Sequence, residues 1–436
     1  MTAQPAIGPE GQTAGRLPSQ ARIVLFTLCS VYVLNFLDRS LLGTLAKPIE
    51  ESLKIDDAQL GLLGGLYFAL FYCVIAVPVG WFADRTNRVG VLSLACAIWS
   101  GATTACGLAT TYPQLAIARM TVGFGEAGGV PPSYAIIADT FPPGRRGFAF
   151  GIYNLGPVIG AALGVAFGAS IAAAFNWRYA FVGIGAIGLV AAVAVRLVIR
   201  EPKRGTFDPG HDSASRASFW PTVGMFVTNP VLMLMALGSG ATQFITYGLG
   251  NFTALFLGRE KGMSLQQIAI WYALTIVIGM GAGMLVSGRV IDRRVHQSKA
   301  AYASVPALSL VFALPLYVAF VWAPSWQLGL VFLTGAMFFN YFYLSSAIAL
   351  VQEEVRPDQR VLASALLLLI MNFIGLGLGP TYVGWASTHF AAQGMPHALQ
   401  LALYTLTPFY VVAILFFVAL ARRLRREDRA SKGTAQ

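Results

Sequence analysis

Four charged residues stand in apolar surroundings where charge is costly. Asp38 and Arg39 are neighbours in one apolar stretch, and Arg119 and Glu126 lie seven apart in another, in the run Arg119-Met-Thr-Val-Gly123-Phe-Gly125-Glu126-Ala-Gly128. An ionised side chain inside a bilayer is expensive unless it is paired or watered, so each of the four is a functional candidate. The chemistry they offer is proton uptake and release by the carboxyls and anion pairing by the guanidiniums. Hydrolytic and metal chemistry have no such support. There is no Gly-x-Ser-x-Gly, no His-x-x-Glu-His and no CxxC, and Cys29, Cys73, Cys96 and Cys106 read as small packing residues. The expectation is therefore no enzyme, no metal and no cofactor, with a proton gradient as the energy source.

Elements that could carry such residues are long and apolar. Only 11% of the 436 residues are charged while 56% are hydrophobic, a balance unsuited to a water-facing surface. Apolar stretches of bilayer-spanning length recur at 22–46, 57–82, 89–109, 113–139, 147–174, 178–198, 231–257, 265–288, 301–322, 326–352, 361–388 and 397–421. The fold class is accordingly an all-α membrane protein of twelve transmembrane helices. Of the 30 Lys and Arg, only Lys47, Lys54, Arg178, Arg259 and Lys261 fall in loops on the side away from the termini. The excess of positive charge on the other side predicts that both termini are cytoplasmic. The expected location is a bacterial inner membrane. A net charge of +11 raises nucleic acid, but the basic residues are scattered through loops, and Arg422, Arg423, Arg425 and Arg426 form a juxtamembrane cluster suited to anionic headgroups. Membrane lipids are thus expected partners, nucleic acid is not, and a monomer is expected. The polar first residues show no apolar core of a cleaved signal peptide.

The chain repeats itself. Gly80-x-x-x-Asp84-Arg85 after the second stretch returns as Gly288-x-x-x-Asp292-Arg293 after the eighth, at an offset of 208 residues. Gly156-Pro157 in the fifth stretch, followed by Gly160, is matched at an offset of 223 by Gly379-Pro380 in the eleventh, followed by Gly384. The divisions are a tail at 1–21, a six-helix bundle at 22–198, a linker at 199–230, a second bundle at 231–421 and a basic tail at 422–436. Asp84, Arg85, Arg88, Asp139, Arg145, Asp292 and Arg293 fall at helix ends on the cytoplasmic side. There they form a candidate gate whose contacts exist in one arrangement of the halves and bias the outward-open state.

Helix geometry links the four intramembrane charges. Arg119 and Glu126 share a face about 10 Å apart, and all four groups can line one stripe of a water-accessible cavity. Asp38 and Arg39 point about 100° apart and need different partners. The expected pairing is Asp38 with Arg119 or another polar group of the first half, leaving Arg39 for an anionic headgroup. Asp38 and Glu126 are the proton-coupling candidates, Glu126 being the deeper, flanked by glycines and able to unload when cytoplasmic water reaches it. The second half offers only neutral groups for a cavity, namely Gln243, Tyr247, Asn340, Tyr343 and Asn372, with Phe339 among nearby aromatics. One charged wall facing one aromatic wall suits an anionic, lipid-like amphiphile.

These residues resemble the Major Facilitator Superfamily, whose best-known signature is the Gly-x-x-x-Asp-Arg loop, here in both halves. The resemblance implies two bundles that rock about a central site. Asn35-Phe-Leu-Asp38-Arg39, Gly125-Glu126-Ala, Pro131-Pro132 and Asp139-x-Phe-x-x-x-Arg145-Arg146 look like the Spinster branch. That similarity implies export or proton-linked movement of sphingosine-1-phosphate or lysophospholipids. A proton-coupled symporter of small organic or sugar acids is the alternative, and it would want charge in both halves. A lipid receptor or sensor that does not transport is a third reading.

Overall fold

The computed structural model describes residues 19–83, 85–204, 207, 219–356 and 359–433. Among them there is no strand, and twelve long helical segments follow one another: α1 (Ser19–Thr44), α2 (Asp57–Ala83), α3 (Arg88–Leu108), α4 (Tyr112–Glu126 continued by Val130–Thr140), α5 (Gly144–Ala174), α6 (Trp177–Val198), α7 (Pro230–Arg259), α8 (Leu265–Val295), α9 (Ala301–Trp322), α10 (Trp326–Glu354), α11 (Leu362–Ala392) and α12 (Ala398–Asp428). Eleven are long and apolar enough to cross a membrane as single helices; α4 is not, because it is broken. Phe26, Phe175 and Leu197, at 75–77% exposure, present the apolar exterior that a lipid solvent requires.

Two short helices fall outside the twelve expected stretches. Ala46–Leu53 joins α1 to α2, and Phe219–Thr228 occupies the end of the segment that the sequence assigns to the linker. We call the side where α1 begins and α12 ends the terminal face, and its opposite the distal face. Ser298, between α8 and α9, donates to Asp428 at 2.7 Å, and Arg204 reaches the Thr86 carbonyl at 2.6 Å, tying the loops and tail of that face together.

The α4 break follows from local chemistry. Pro131 and Pro132 have no N–H to give the carbonyls of Ala127 and Gly128, so the helical ladder loses two successive bonds. Just ahead of the prolines the ladder also tightens to i→i−3 bonds, Gly128 N–H to the Gly125 carbonyl at 3.1 Å and Gly129 N–H to the Glu126 carbonyl at 3.0 Å. The first piece of α4 therefore ends at Glu126 itself.

Within the first half α1 lies on α5 and α3 on α6, while in the second half α7 lies on α12 and α9 on α10. The halves meet through α1 with α7, α2 with α11 and α5 with α8. They touch most closely towards the distal face, where backbones lie directly on one another. A Cβ on Gly61 would sit 2.5 Å from the Pro380 carbonyl oxygen, and one on Gly384 would sit 2.2 Å from that of Asp57. Only glycine allows this approach of α2 and α11. Four hydrogen bonds cross the same seam: the Ala58 amide to Thr388 Oγ1 at 3.0 Å, the Leu66 amide to Thr381 Oγ1 at 3.1 Å, Thr381 Oγ1 to the Gly61 carbonyl at 3.4 Å, and Ser387 Oγ to Asp57 at 2.5 Å.

Gly61→Ala is expected to force α2 and α11 apart, costing about 1–3 kcal/mol as over-packed sites do. Hydrogen–deuterium exchange should then rise in residues 57–66 and 380–388 and stay constant at the terminal ends of the same helices. Unchanged exchange would mean that the distal contact is looser than this geometry.

Candidate substrate and proton site

A cavity of about 290 Å³ lies between the halves, near the lower bound for small-molecule sites. Its first-half wall carries Arg39 and Arg119 with Tyr32, Phe36, Phe68, Tyr72 and Tyr134. Its second-half wall carries Gln243, Tyr247, Asn340, Tyr343 and Asn372, as expected, together with Tyr272, Tyr341, Met280, Met284 and Met337. Phe339 is the exception among the cavity residues expected from sequence. The α10 stripe that lines the cavity runs through Leu333, Met337, Tyr341, Leu344 and Ile348 at helical spacing, and Phe339 lies off it, clustered with Phe312, Phe338 and Phe342.

The four intramembrane charges are together but not arranged as a single water-facing stripe. Arg39 and Arg119 line the cavity, whereas Asp38 and Glu126 lie behind them at 1% exposure each. Asp38 accepts from Thr103 Oγ1 at 2.6 Å, and its other oxygen lies 3.7 Å from Arg119 Nη1, which bears out the expected pairing as a long one. Arg39 is not left free: its Nε donates to Glu126 Oε2 at 2.5 Å. The two arginines therefore differ in a way that sequence did not reveal. Arg119 Nε and Nη1 find no hydrogen-bond acceptor among the described residues although Arg119 is 2% exposed.

Local structure explains this assignment. Consecutive residues on α1 turn through about 100°, so Asp38 points to α3 and Arg39 to α2 and the end of the first α4 piece. Phe36, Phe68 and Tyr72 surround the Arg39 guanidinium with ring centres 4.9 to 5.1 Å away, and Phe68 also lies 5.3 Å from that of Arg119. Aromatic faces hold a cation where water cannot. Glu126 sits at a helix C-terminus, where the peptide dipoles add negative potential to that of the carboxylate, so Arg39 offsets both. The glycines on α4 bring these groups together: a Cβ on Gly123 would lie 2.4 Å from the Phe68 carbonyl, and one on Gly125 2.6 Å from the Trp99 amide.

The described gate residues sit on the terminal face, and the pairs of Arg88 lie within the first half. Arg88, 4% exposed, bonds Asp139 at 2.5 Å, Glu201 at 2.7 Å and the Pro202 carbonyl at 2.8 Å. Glu201, which follows α6, was not singled out from sequence. Arg85 stacks on Trp81 at 3.9 Å, Arg145 is half-buried at the start of α5, and Asp292 and Arg293 are exposed at the end of α8. Asp84 lies outside the described residues. In the second half Lys299 pairs with Glu354 and Tyr302 with Glu353, each at 2.5 Å. The cross-half ion pair of the described residues is on the distal face, where Arg259 of α7 holds Asp57 and Glu50, a group that sequence reading passed over. No cluster of His, Cys, Asp and Glu suited to a metal occurs among the described residues.

Twelve helices in two repeated bundles around a central cavity define a membrane transporter fold. The model of the Major Facilitator Superfamily matches residues 28–380, and the chain belongs to that superfamily. Its relatives place it in the Spinster-like branch. It is 30% identical to an MFS-type efflux pump of Mycolicibacterium smegmatis, over 94% of each chain. It is 26% identical to protein spinster homolog 1 of Homo sapiens, over 88% of this chain and 76% of that protein. It superposes with a TM-score of 0.85 and 29% identity on a bacterial homologue of the human lysosomal transporter Spinster in an inward-facing and unoccupied conformation, covering 94% of this chain and 99% of that one.

Because Arg39 and Glu126 compensate each other, removing one should cost more than removing both. Arg39→Met is expected to destabilise by about 3 kcal/mol, leaving an uncompensated buried carboxylate, and the double variant Arg39→Met with Glu126→Gln should regain most of it. Thermal unfolding in detergent measures both. Additive losses would show that the two side chains do not act as a pair.

Proposed function

We propose that this chain is a proton-coupled secondary transporter that moves an anionic, lipid-like amphiphile of the sphingosine-1-phosphate or lysophospholipid type. We place it in a bacterial inner membrane with both termini cytoplasmic, so that the terminal face is the inner one. The observation that carries this reading is the division of the cavity. Two guanidiniums stand on one wall, one with unsatisfied donors, and the opposite wall is tyrosine and methionine with neutral amides. An anionic headgroup satisfies Arg119 and Arg39, while an acyl chain takes the aromatic and thioether surface. Support also comes from the sphingosine-1-phosphate transporter SPNS2 of Danio rerio, 27% identical over 93% of this chain.

Proton coupling follows from competition for Arg39. In this conformation neither carboxyl meets the cavity, so Glu126 exchanges a proton only when Arg39 leaves it. An anion drawing Arg39 into the cavity exposes Glu126 to protonation, and loss of the anion lets the pair close again. Burial of Glu126 and Asp38 is thus compatible with coupling if water reaches them during the cycle.

A second reading has its own support. The hexuronate transporter of Bacillus subtilis is 25% identical over 83% of this chain, and Gln243, Asn340 and Asn372 at the cavity could bind the hydroxyls of a sugar acid. Gln243 Oε1 and Asn340 Oδ1 find no partner among the described residues, although the amide of Asn340 donates to Tyr410 at 3.0 Å.

Proteoliposome uptake of labelled lysophosphatidate and labelled glucuronate under an imposed pH gradient discriminates the two. We expect transport of the lysolipid, at least a tenfold loss of its affinity in Arg119→Gln, and loss of the response to the gradient in Glu126→Gln with binding retained. Saturable glucuronate uptake without lysolipid uptake would replace the first reading by the second. A Glu126→Gln variant still driven by the gradient would remove Glu126 from coupling.

A further inference from the structure

On the distal face, far from the cavity arginines, one guanidinium is shared by two carboxyls. Arg259, the last residue of α7, donates to Asp57 through both ends of its fork, Nη1 to Oδ2 at 2.9 Å and Nη2 to Oδ1 at 3.0 Å. The same Nη2 donates to Glu50 Oε2 at 2.5 Å. Asp57 opens α2 and also accepts from Ser387 of α11. Glu50 belongs to the short helix Ala46–Leu53. One second-half cation is thereby clamped to two first-half elements, beside the seam where Gly61 and Gly384 let α2 and α11 touch. We propose that Glu50, Asp57 and Arg259 form a proton-sensitive latch that holds the distal face shut.

Charge counting gives the latch its sensitivity. With both carboxyls ionised the cluster carries one excess negative charge, and two carboxylates crowd one cation. With Glu50 protonated, its hydroxyl donates to Asp57, the cluster is neutral and every bond remains. Burial pushes Glu50 up to about 8, and the neighbouring Asp57 carboxylate adds to the rise, which Arg259 only partly opposes. The other charged groups near Glu50 are engaged or turned away. Arg178 of α6 donates to Ser52 and to the Ala109 carbonyl, Glu260 pairs with His397, and Lys47, Glu51, Lys54 and Asp56 are exposed. From α11 the cluster receives only the neutral Ser387 and Thr388, with His389 exposed.

The direction follows from linkage. When the latch parts, Glu50 is in water and returns towards its ordinary value of 4.5, so the shut arrangement holds the proton more tightly. Falling pH therefore favours closure by up to about tenfold per pH unit between about 8 and 4.5, and above 8 that advantage is gone. This differs from substrate-linked coupling: the latch responds to the medium bathing the distal face whether or not the cavity is occupied.

Pulsed electron spin resonance on reconstituted protein tests it without reference to any substrate. Spin labels at Glu51→Cys and Ala391→Cys, both exposed and on opposite halves of the distal face, report its opening once Cys29, Cys73, Cys96 and Cys106 are replaced by alanine. We expect a short distance at pH 6 and a growing long component at pH 9.5. Glu50→Gln should keep the short distance at both pH values, and Arg259→Gln, or Asp57→Asn if that variant does not fold, should show the long one at both. A distance that ignores pH in the unmodified latch, or a Glu50→Gln variant that retains the pH shift, would overturn the proposal. Because the readout is a distance, it stands or falls separately from the transport assay.

Discussion

The ion pair of Arg39 and Glu126 sets the architecture of the first half. A carboxylate at the C-terminal end of a broken helix, inside an apolar bundle, is tolerated only if a cation is delivered to it. Delivery requires α4 to be packed almost backbone to backbone on α2 and α3, which Gly123 and Gly125 permit. It also requires a lining that stabilises a cation without water, which Phe36, Phe68 and Tyr72 supply. Once Arg39 is so engaged, Arg119 is left under-satisfied, with Asp38 3.7 Å away and itself bonded to Thr103. The cavity inherits one spent and one hungry guanidinium from this competition among four residues.

The fold was legible because its signals are long. Spans of some twenty apolar residues, loop charge and a repeated loop motif each average over many positions, so twelve helices and two halves follow from sequence. What sequence could not resolve is short-range. The α4 span reads as one apolar stretch, and its interruption depends on two adjacent prolines following four closely spaced glycines. The π-helical turns at Ile268–Tyr272, Val277–Gly281 and Phe373–Leu378 likewise leave no hydropathy signal.

At the site, residue identity was readable and pairing was not. Rarity of charge picked out Asp38, Arg39, Arg119 and Glu126, and helix depth offered Asp38 either Arg119 or another first-half polar group, of which it meets both Arg119 and Thr103. Spacing cannot say whether Arg39 turns to the cavity or to Glu126, because that depends on how α1 is rotated against α4. The distal cluster was missed for another reason. Glu50, Asp57 and Arg259 sit at span ends, where charge is ordinary, and only the fold brings positions some two hundred residues apart within hydrogen-bond reach.

The positions of the ion pairs imply an asymmetry in the transport cycle. On the terminal face the pairs of Arg88 with Asp139 and Glu201, and of Lys299 with Glu354, each lie within one half and move with it as a rigid body. On the distal face the pairs of Arg259 cross between halves. Opening the terminal face therefore leaves these three pairs intact, whereas opening the distal face must separate a bidentate ion pair and expose the glycine seam. The distal contacts thus favour this conformation, and the opposite one needs compensation from new contacts elsewhere. The amphiphile proposed as substrate is suited to supply it: its anion would relieve the unsatisfied donors of Arg119, and its chain would join the aromatic and methionine wall to the charged one. On these two proposals, substrate binding in the cavity and proton release at the distal latch push the halves in the same direction.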